Sequence, residues 1–276
     1  MANPMLPMPK KPMTDVGVTG EKKSCGAVFV MRTFFPKMNS NTTTQSQRVL
    51  QTLQMESQLK ILITGFEPFG GEAVNPSWEV AKLLANQQVQ GAVVVVAQLP
   101  CVFAKSLDAL AAAIQLHQPQ AVIALGQADG RSDFSIERVA INVCDARIPD
   151  NEGAQPIDEP VIAQGPAAYF SSLPIKKMAM HLKAKGHPVA ISQTAGTFVC
   201  NQVFYGLQHL LRNTQVLSGF VHVPLLPSQV AARSGASLAS MSSDTLAQAL
   251  LCSIEVLVQH LQSDERDIKW GMGANH

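Results

Sequence analysis

Cys200 is the residue of this sequence best placed for covalent chemistry. It stands in SQTAGTFVCNQVFYG (192–206), where a tight turn, TAGT, precedes an amphipathic helical pattern. The pattern puts the thiol in the first turn of a helix, where unpaired N–H groups and the helix dipole favour an anion. We therefore expect a lowered thiol pKa and N–H groups that could hold an oxyanion. The competing interpretation is an inert buried cysteine, which is common in proteins.

A nucleophilic cysteine needs a base, most often histidine, and a third group that orients the base. His222 stands in an apolar strand pattern, FVHVPLL, and Glu137 adjoins another, SIERVAI. An imidazole or a carboxylate in such a strand needs a polar partner. Both residues also have a structural interpretation: His222 as a hydrogen-bonded core histidine, and Glu137 as a salt-bridge partner of Arg138 or Arg147.

Two aromatic residues, Phe66 and Phe69, fall in one short loop, GFEPFGG (65–71). They could form the walls of a pocket for a small, flat, uncharged group, or they could plug the end of a sheet. The loop lacks the Gly-x-Gly-x-x-Gly spacing and the Gly-Lys-Ser/Thr ending of phosphate-binding loops. The sequence therefore disfavours dinucleotide binding.

These residues lie on or beside strands that alternate with helices. Such alternation predicts a mostly parallel, twisted sheet with helices on both faces. We expect one three-layer α/β/α domain of the phosphorylase/hydrolase-like kind, with its ligand crevice beyond the carboxyl ends of the strands. The predicted strands are 59–66, 91–100, 119–127, 136–143, 188–193 and 219–226, and the predicted helices are one beginning at Asn75–Pro76, then 105–117, 174–185, 198–213 and 243–262.

Composition limits the class of protein. The chain has 276 residues, of which 46% are hydrophobic, and a formal net charge of +1. Scattered basic residues at that balance argue against a nucleic-acid surface. Five cysteines at wide spacing, with no CxxC pair, predict neither a disulfide framework nor a zinc ribbon, and favour a cytoplasmic protein. The apolar run CGAVFVM (25–31) is too short to span a membrane.

The two ends of the chain differ from the middle. Residues 1–54 are rich in Pro, Met and Lys and then in Asn, Thr, Ser and Gln. We expect this extension to be mostly disordered, or to lie upstream of the true start, because it has little apolar surface to bury. The α/β/α domain is predicted over 55–265, and 266–276 is predicted to be a flexible tail.

Five stretches together resemble one known family. ITGFEPFGGEAVNPSWEVAKLL, GQADGR, ERVAINVCDARIPDNEG, AGTFVCNQVFYG and FVHVPLLPSQ occur in the order and spacing of the pyroglutamyl-peptidase I (pyrrolidone-carboxylate peptidase) family of cysteine peptidases. The resemblance covers about residues 57–265. It implies that the chain removes N-terminal pyroglutamate from peptides without a metal or cofactor, and that it forms a homo-oligomer, namely a tetramer.

The resemblance also implies roles for individual residues. Cys200 would be the nucleophile, His222 the general base and acid, and Glu137 the residue that orients the imidazole. Gln127 would pair with the lactam of the substrate, and Arg147 is a candidate for supporting the leaving peptide or the oxyanion. The other implied pocket residues are Phe66, Phe69, Ile148, Phe198 and Val199.

Two positions depart from the family pattern, and two other functions remain open. Asp129 stands where GQAGGR would have Gly, and Cys101 replaces a common Thr. These changes could alter the rate or the tolerance for substituted rings. A nucleoside phosphorylase-type enzyme would need a phosphate cradle, for which Arg131 is the candidate, because one α/β/α core can serve different chemistries. A non-catalytic module that binds pyroglutamyl peptides is the other alternative.

Overall fold

Asn75 and Pro76 begin the first helix, as the sequence predicts. The Asn75 side chain accepts a hydrogen bond from Ser77 N–H, and Pro76 occupies the first helical position. The computed structural model describes residues 58–233 and 238–273. Their elements are β1 (Lys60–Phe66), α1 (Pro76–Leu83), β2 (Gln88–Val89), β3 (Ala92–Leu99), α2 (Phe103–His117), β4 (Ala121–Gln127), β5 (Phe134–Glu137), β6 (Val139–Ile141), β7 (Ala168–Phe170), α3 (Ile175–Ala184), β8 (Val189–Ser192), α4 (Val199–Leu211), β9 (Leu217–Val223), α5 (Pro227–Ala232) and α6 (Ser243–Leu261).

The central sheet has seven strands in the order β2-β3-β1-β4-β9-β5-β8. Strands β3, β1, β4 and β9 are parallel neighbours, which confirms the predicted mostly parallel sheet. Every residue of β4 is buried, as expected for an apolar run covered on both faces. Strand β5 pairs antiparallel with β9, so β5 and its parallel neighbour β8 run opposite to the four parallel strands. The short edge strand β2 also runs opposite to them, because it pairs antiparallel with β3.

Helices cover both faces of the sheet, and each face has its own apolar core. Helices α1, α3 and α6 pack on one face around residues such as Ile61, Ile123 and Leu250. Helices α2 and α4 pack on the other face around Leu62, Val122 and Phe204. The three-layer α/β/α architecture predicted from the alternation is therefore confirmed.

The stretch IERVAINV is not one strand, as the alternation predicts, but two. Strand β5 ends at Glu137, and β6 pairs with β7 in a separate two-stranded sheet. The break falls at Arg138, whose N–H makes the last bond of β5 to its neighbour β8, to Ser192 O at 2.9 Å. Asn201 of α4 then holds β6, since its side chain bonds to both N–H and C=O of Ile141.

The long loop 142–167 is held by its own polar side chains. Asn142 exchanges two hydrogen bonds with the backbone of Ile162. The carboxylate of Asp150 accepts from the backbone N–H groups of Phe103, Glu152 and Ala154. The loop is thereby attached to the first turn of α2.

The predicted disorder of residues 1–54 lies outside the described residues. The flexible tail at 266–276 stays a prediction. In the described part of this segment, Asp267 accepts hydrogen bonds from the backbone N–H groups of Lys176 and Lys177 at 3.0 and 2.9 Å. This carboxylate satisfies N–H groups in the first turn of α3, a contact that the sequence pattern did not predict.

Candidate active site

Gly126 of β4 leaves the space in which the Cys200 thiol lies. It is aligned with His222 across the parallel β4–β9 pair, and aligned residues point to the same face of a sheet. A Cβ atom at Gly126 would lie 2.8 Å from Cys200 Sγ and 2.8 Å from Cζ of Phe220, which is too close for either contact. The thiol therefore rests on the backbone of β4, beside the strand that carries His222.

Cys200 is the second residue of α4, so its predicted place in the first helical turn is confirmed. The expected lowering of its pKa is wrong. Burial raises the pKa of the Cys200 thiol, and the nearby Cys101 and Glu137 raise it further, while Arg131 lowers it. The cost of desolvating the thiolate thus outweighs the stabilisation that the first turn of the helix gives to an anion. The free protein therefore holds a neutral thiol at neutral pH.

His222 and Glu137 form a buried hydrogen-bonded pair. In the antiparallel register His222 faces Ser135, and Glu137 lies two residues further along the same face of β5. Nδ1 of His222 lies 2.8 Å from Oε1 of Glu137, whose side chain has no exposed surface. Because an ionised carboxylate only accepts hydrogen bonds, Nδ1 carries the proton and the lone pair of the neutral ring is on Nε2.

Burial lowers the pKa of His222, although its hydrogen bond to Glu137 and the charge of Glu137 raise it. The ring is therefore neutral at neutral pH and able to accept a proton. No hydrogen bond joins the imidazole to the thiol of Cys200 within the part of the chain that the structure describes. Catalytic hydrogen bonds are often long in free enzymes and shorten when the substrate binds.

Arg131 makes a contact with Glu137 that the sequence did not predict. Its Nη1 donates to Oε1 of Glu137 at 2.7 Å, and its Nη2 donates to Thr194 O at 3.0 Å. The sequence suggests Arg138 or Arg147 as a salt-bridge partner of Glu137, but neither of them pairs with it in the structure. Arg131 thus links the carboxylate to the turn that precedes α4. The sequence signal for this contact is the positive charge of Arg131 in GQADGR, which also suggests phosphate binding.

The aromatic residues form two groups. Phe66, the last residue of β1, is almost fully buried against Phe220, so it closes the end of the sheet. The ring centroid of Phe220 lies in turn 4.9 Å from that of His222. Phe69 and Phe198 are partly exposed with centroids 6.0 Å apart, and Phe198 meets Phe103 edge to face. Phe69 and Phe198 can therefore contact a ligand, while Phe66 lies beneath the surface.

The remaining predicted residues differ in exposure. Gln127 is the last residue of β4 and is buried, and Val199, the first residue of α4, has no exposed surface. Ile148 is partly exposed on the long loop. Arg147 is exposed, and no hydrogen bond or ion pair joins it to the rest of the described chain.

Among the residues that the structure describes, one group of side chains could hold a metal ion by position. His181, Cys252 and Glu255 offer ligand atoms within 4.8 Å of one another, between α3 and α6. This cluster lies on the opposite face of the sheet from Cys200, because α3 and α6 pack on the other core. His181 and Glu255 already form an ion-pair contact at 3.4 Å, which accounts for their proximity without an ion.

A thiol, a neutral imidazole and a carboxylate that orients it, at the strand ends of an α/β/α sandwich, are the components of a cysteine hydrolase. The sequence profile of the pyroglutamyl peptidases matches residues 59–260. This chain belongs to the pyroglutamyl peptidase family.

Relatives and solved structures agree with this assignment. The chain is 52% identical to the pyrrolidone-carboxylate peptidase of Erwinia tasmaniensis over 217 residues, which cover 79% of this chain and 99% of that protein. Its fold is similar to the crystal structure of Bacillus amyloliquefaciens pyroglutamyl peptidase I, with a TM-score of 0.72, 46% identity and coverage of 76% and 100% of the two chains. The pyrrolidone carboxyl peptidase from Thermococcus litoralis gives a TM-score of 0.74 at 37% identity, with coverage of 77% and 99%.

Proposed function

We propose that this chain is a cysteine exopeptidase that removes N-terminal pyroglutamate (5-oxoproline) from peptides and proteins. One observation carries the proposal: the Glu137–His222 hydrogen bond stands beside a thiol held against Gly126, in a member of the pyroglutamyl peptidase family. The relatives described above bear names of the same activity.

The first half of the reaction is acyl transfer to sulfur. Nε2 of His222 takes the proton of Cys200, and the thiolate attacks the carbonyl carbon that follows the lactam ring. Backbone N–H groups at the start of α4 hold the oxyanion. The protonated His222 then gives its proton to the departing amine, so the peptide leaves and a thioester remains on Cys200.

The second half is hydrolysis of this thioester. His222, now neutral again, takes a proton from water, and the resulting hydroxide attacks the thioester carbonyl. Sulfur leaves as a thiolate and takes the proton back from His222. Glu137 stabilises the imidazolium in both halves through the Nδ1 hydrogen bond, as the third member of other triads does.

The pocket that we propose suits an uncharged lactam. Phe69, Phe198 and Ile148 supply partly exposed apolar surface, and Phe66 and Val199 support it from below. Gln127 supplies the amide that binds the ring. A proline ring has no ring carbonyl, so it would leave this buried amide unpaired and should be rejected. Arg147, on its exposed loop, is proposed to support the leaving peptide or the oxyanion.

The two alternatives are less well supported. A phosphorylase would use Arg131 to hold phosphate, but two of its guanidinium nitrogens are already bonded to Glu137 and to the backbone at Thr194. A silent binding module has no need for a buried imidazole that a carboxylate holds near a thiol. Trapping of a thioester by acid quench would exclude the binding module, and absence of phosphate-dependent nucleoside cleavage would exclude the phosphorylase.

The mechanism uses no metal and no cofactor. We also propose a cytoplasmic location, from the number and spacing of the cysteines, and a homotetramer, from the family resemblance. None of the helices in the described ranges is both long and apolar enough to cross a membrane.

The pH dependence follows from His222. Below its pKa the imidazole is protonated and cannot accept the thiol proton, so kcat/KM falls as the pH is lowered. Because burial lowers the pKa of His222, we expect this fall to lie below the usual histidine value of about 6.5. A pH profile of kcat/KM, with circular dichroism at each pH to exclude unfolding, measures it. An inflection at or above that value would contradict the assigned base.

The proposal is tested with two fluorogenic amides. The purified chain should cleave the pyroglutamyl amide and leave the prolyl amide intact, because the two differ by the ring carbonyl that the pocket is proposed to bind. If the folded chain cleaves neither, the peptidase function is wrong and the binding-module alternative gains support.

A further inference from the structure

A continuous polar network leads from the surface to Gln127. Its members, in order of contact, are Asp129, Arg233, Glu72, Gln229 and Gln127. They come from three separate parts of the chain: the loop after β1, the end of β4 with the loop after it, and α5 with the residue that follows it. Side-chain hydrogen bonds of the network connect these three parts beside the proposed lactam site.

Gln229 has only one possible orientation in this network. The backbone N–H of Leu226 points at one end of its amide, 3.0 Å away, so that end must be the oxygen. The amide nitrogen of Gln229 therefore faces three acceptors: Glu72 Oε2 at 3.1 Å, Gln127 Oε1 at 3.2 Å and Val74 O at 3.4 Å. Its two hydrogens serve the two nearer acceptors.

This arrangement decides which end of Gln127 is left over. Its Oε1 is turned towards Gln229, so its Nε2 points away from the network. Nε2 of Gln127 has no hydrogen-bond partner among residues 58–233 and 238–273. Gln127 as a whole is 9% exposed, and its Nε2 is not among the fully inaccessible polar atoms without a partner in the described ranges, so this nitrogen retains some exposed surface.

We infer that Gln229 is a positioning residue that holds Gln127 as a hydrogen-bond donor, so that Gln127 recognises the ring carbonyl of the lactam and not its N–H. The inference rests on the proposed function and adds to it the polarity of the contact. An amide free to rotate could offer either end to the ring. The network removes that freedom before the substrate arrives.

The outer part of the network holds Gln229 in turn. Nη2 of Arg233 bonds to Oε1 of Glu72 at 2.6 Å, and Nη1 bonds to Oδ2 of Asp129 at 2.5 Å. Glu72 is then fixed as an acceptor for Gln229. Asp129 is half exposed, so its own contribution is small.

The test reverses the polarity of Gln229 in the full chain. In Gln229→Glu the introduced carboxylate cannot donate, so Gln127 must turn its nitrogen towards it and present its oxygen to the lactam carbonyl. The readout is the inhibition constant of 2-pyrrolidone, the free lactam ring, with KM and kcat for the pyroglutamyl amide. We expect the inhibition constant and KM to rise about tenfold or more, with a smaller change in kcat.

Two further variants separate polarity from other effects. Gln229→Met removes the tether without reversing Gln127 and should raise the inhibition constant only about threefold. The double variant Gln229→Glu/Glu72→Gln has the same net charge as the wild type, so repulsion between two carboxylates is absent. Position 229 still cannot donate to Gln127, and the inhibition constant of the double variant should therefore stay high. The inference is overturned if the wild type cleaves the amide while Gln229→Glu binds 2-pyrrolidone normally. It is also overturned if adding Glu72→Gln to Gln229→Glu restores normal binding of 2-pyrrolidone. Failure of the proposed function would instead appear as a wild type without activity.

Discussion

Replacing Cys200 with alanine is expected to reduce turnover of a pyroglutamyl amide by roughly 10⁴-fold or more, with little change in the free energy of unfolding. The thiol is the only group that the proposed mechanism joins covalently to the substrate. Alanine still fits against Gly126, because it is smaller than the thiol that the space already accommodates. Initial rates and denaturant unfolding of the variant measure the two quantities.

The matched control for this variant is Cys252→Ala. Cys252 is also a partly buried thiol on a helix, but it lies with α6 on the opposite face of the sheet. Cys252→Ala should keep full activity. A loss of activity in this control would reveal a general effect of removing a thiol. Full activity in Cys200→Ala would exclude Cys200 as the nucleophile.

Replacing Glu137 with glutamine should lower kcat by about 10²- to 10⁴-fold and leave KM nearly unchanged. Glutamine can donate its amide N–H to Nδ1 of His222, which moves the ring proton to Nε2, where a free lone pair is needed. The variant also loses the charge that stabilises the imidazolium and that raises the pKa of His222. We therefore expect the acid limb of the pH profile to move to still lower pH.

The pH shift separates an orienting role from a structural one, because a carboxylate that only supports the fold would not control the titration of His222. Glu79→Gln is the control, since Glu79 is a surface carboxylate on α1 that pairs with Lys82. Unchanged kinetics in Glu137→Gln would leave Glu137 as a structural partner of Arg131.

Local patterns predicted the elements well, because the causes of those elements are local. The Asn75–Pro76 start of α1 follows from capping, and the burial of β4 follows from its unbroken apolar run. The position of Cys200 in the first turn of α4 follows from the turn that precedes it. The direction of β5 in the sheet could not be predicted this way. Alternation of apolar and polar residues indicates that a segment is a strand, but it does not indicate which strand lies beside it or in which direction the two run.

The candidate residues could be picked out from their local patterns, but their assembly into one site could be predicted only through the family resemblance. His222 and Glu137 are 85 residues apart, and only the antiparallel register of β5 and β9 brings them into contact. The contact of Arg131 with Glu137 and the orientation of Gln229 are likewise long-range. The raised pKa of Cys200 depends on how deeply the thiol is buried, which helix position alone does not specify.

The burial of the thiols has a consequence for covalent inhibitors. Burial raises the pKa of Cys101 to about 12 and that of Cys144 to about 11, and it raises those of Cys200 and Cys252 as well. Alkylating reagents such as iodoacetamide attack thiolates, so they should label these four residues slowly at neutral pH. An electrophile built on a lactam ring would instead dock beside Cys200 and use His222 to remove the proton. The selectivity of such a compound would come from its ring, and its reactive group could be mild.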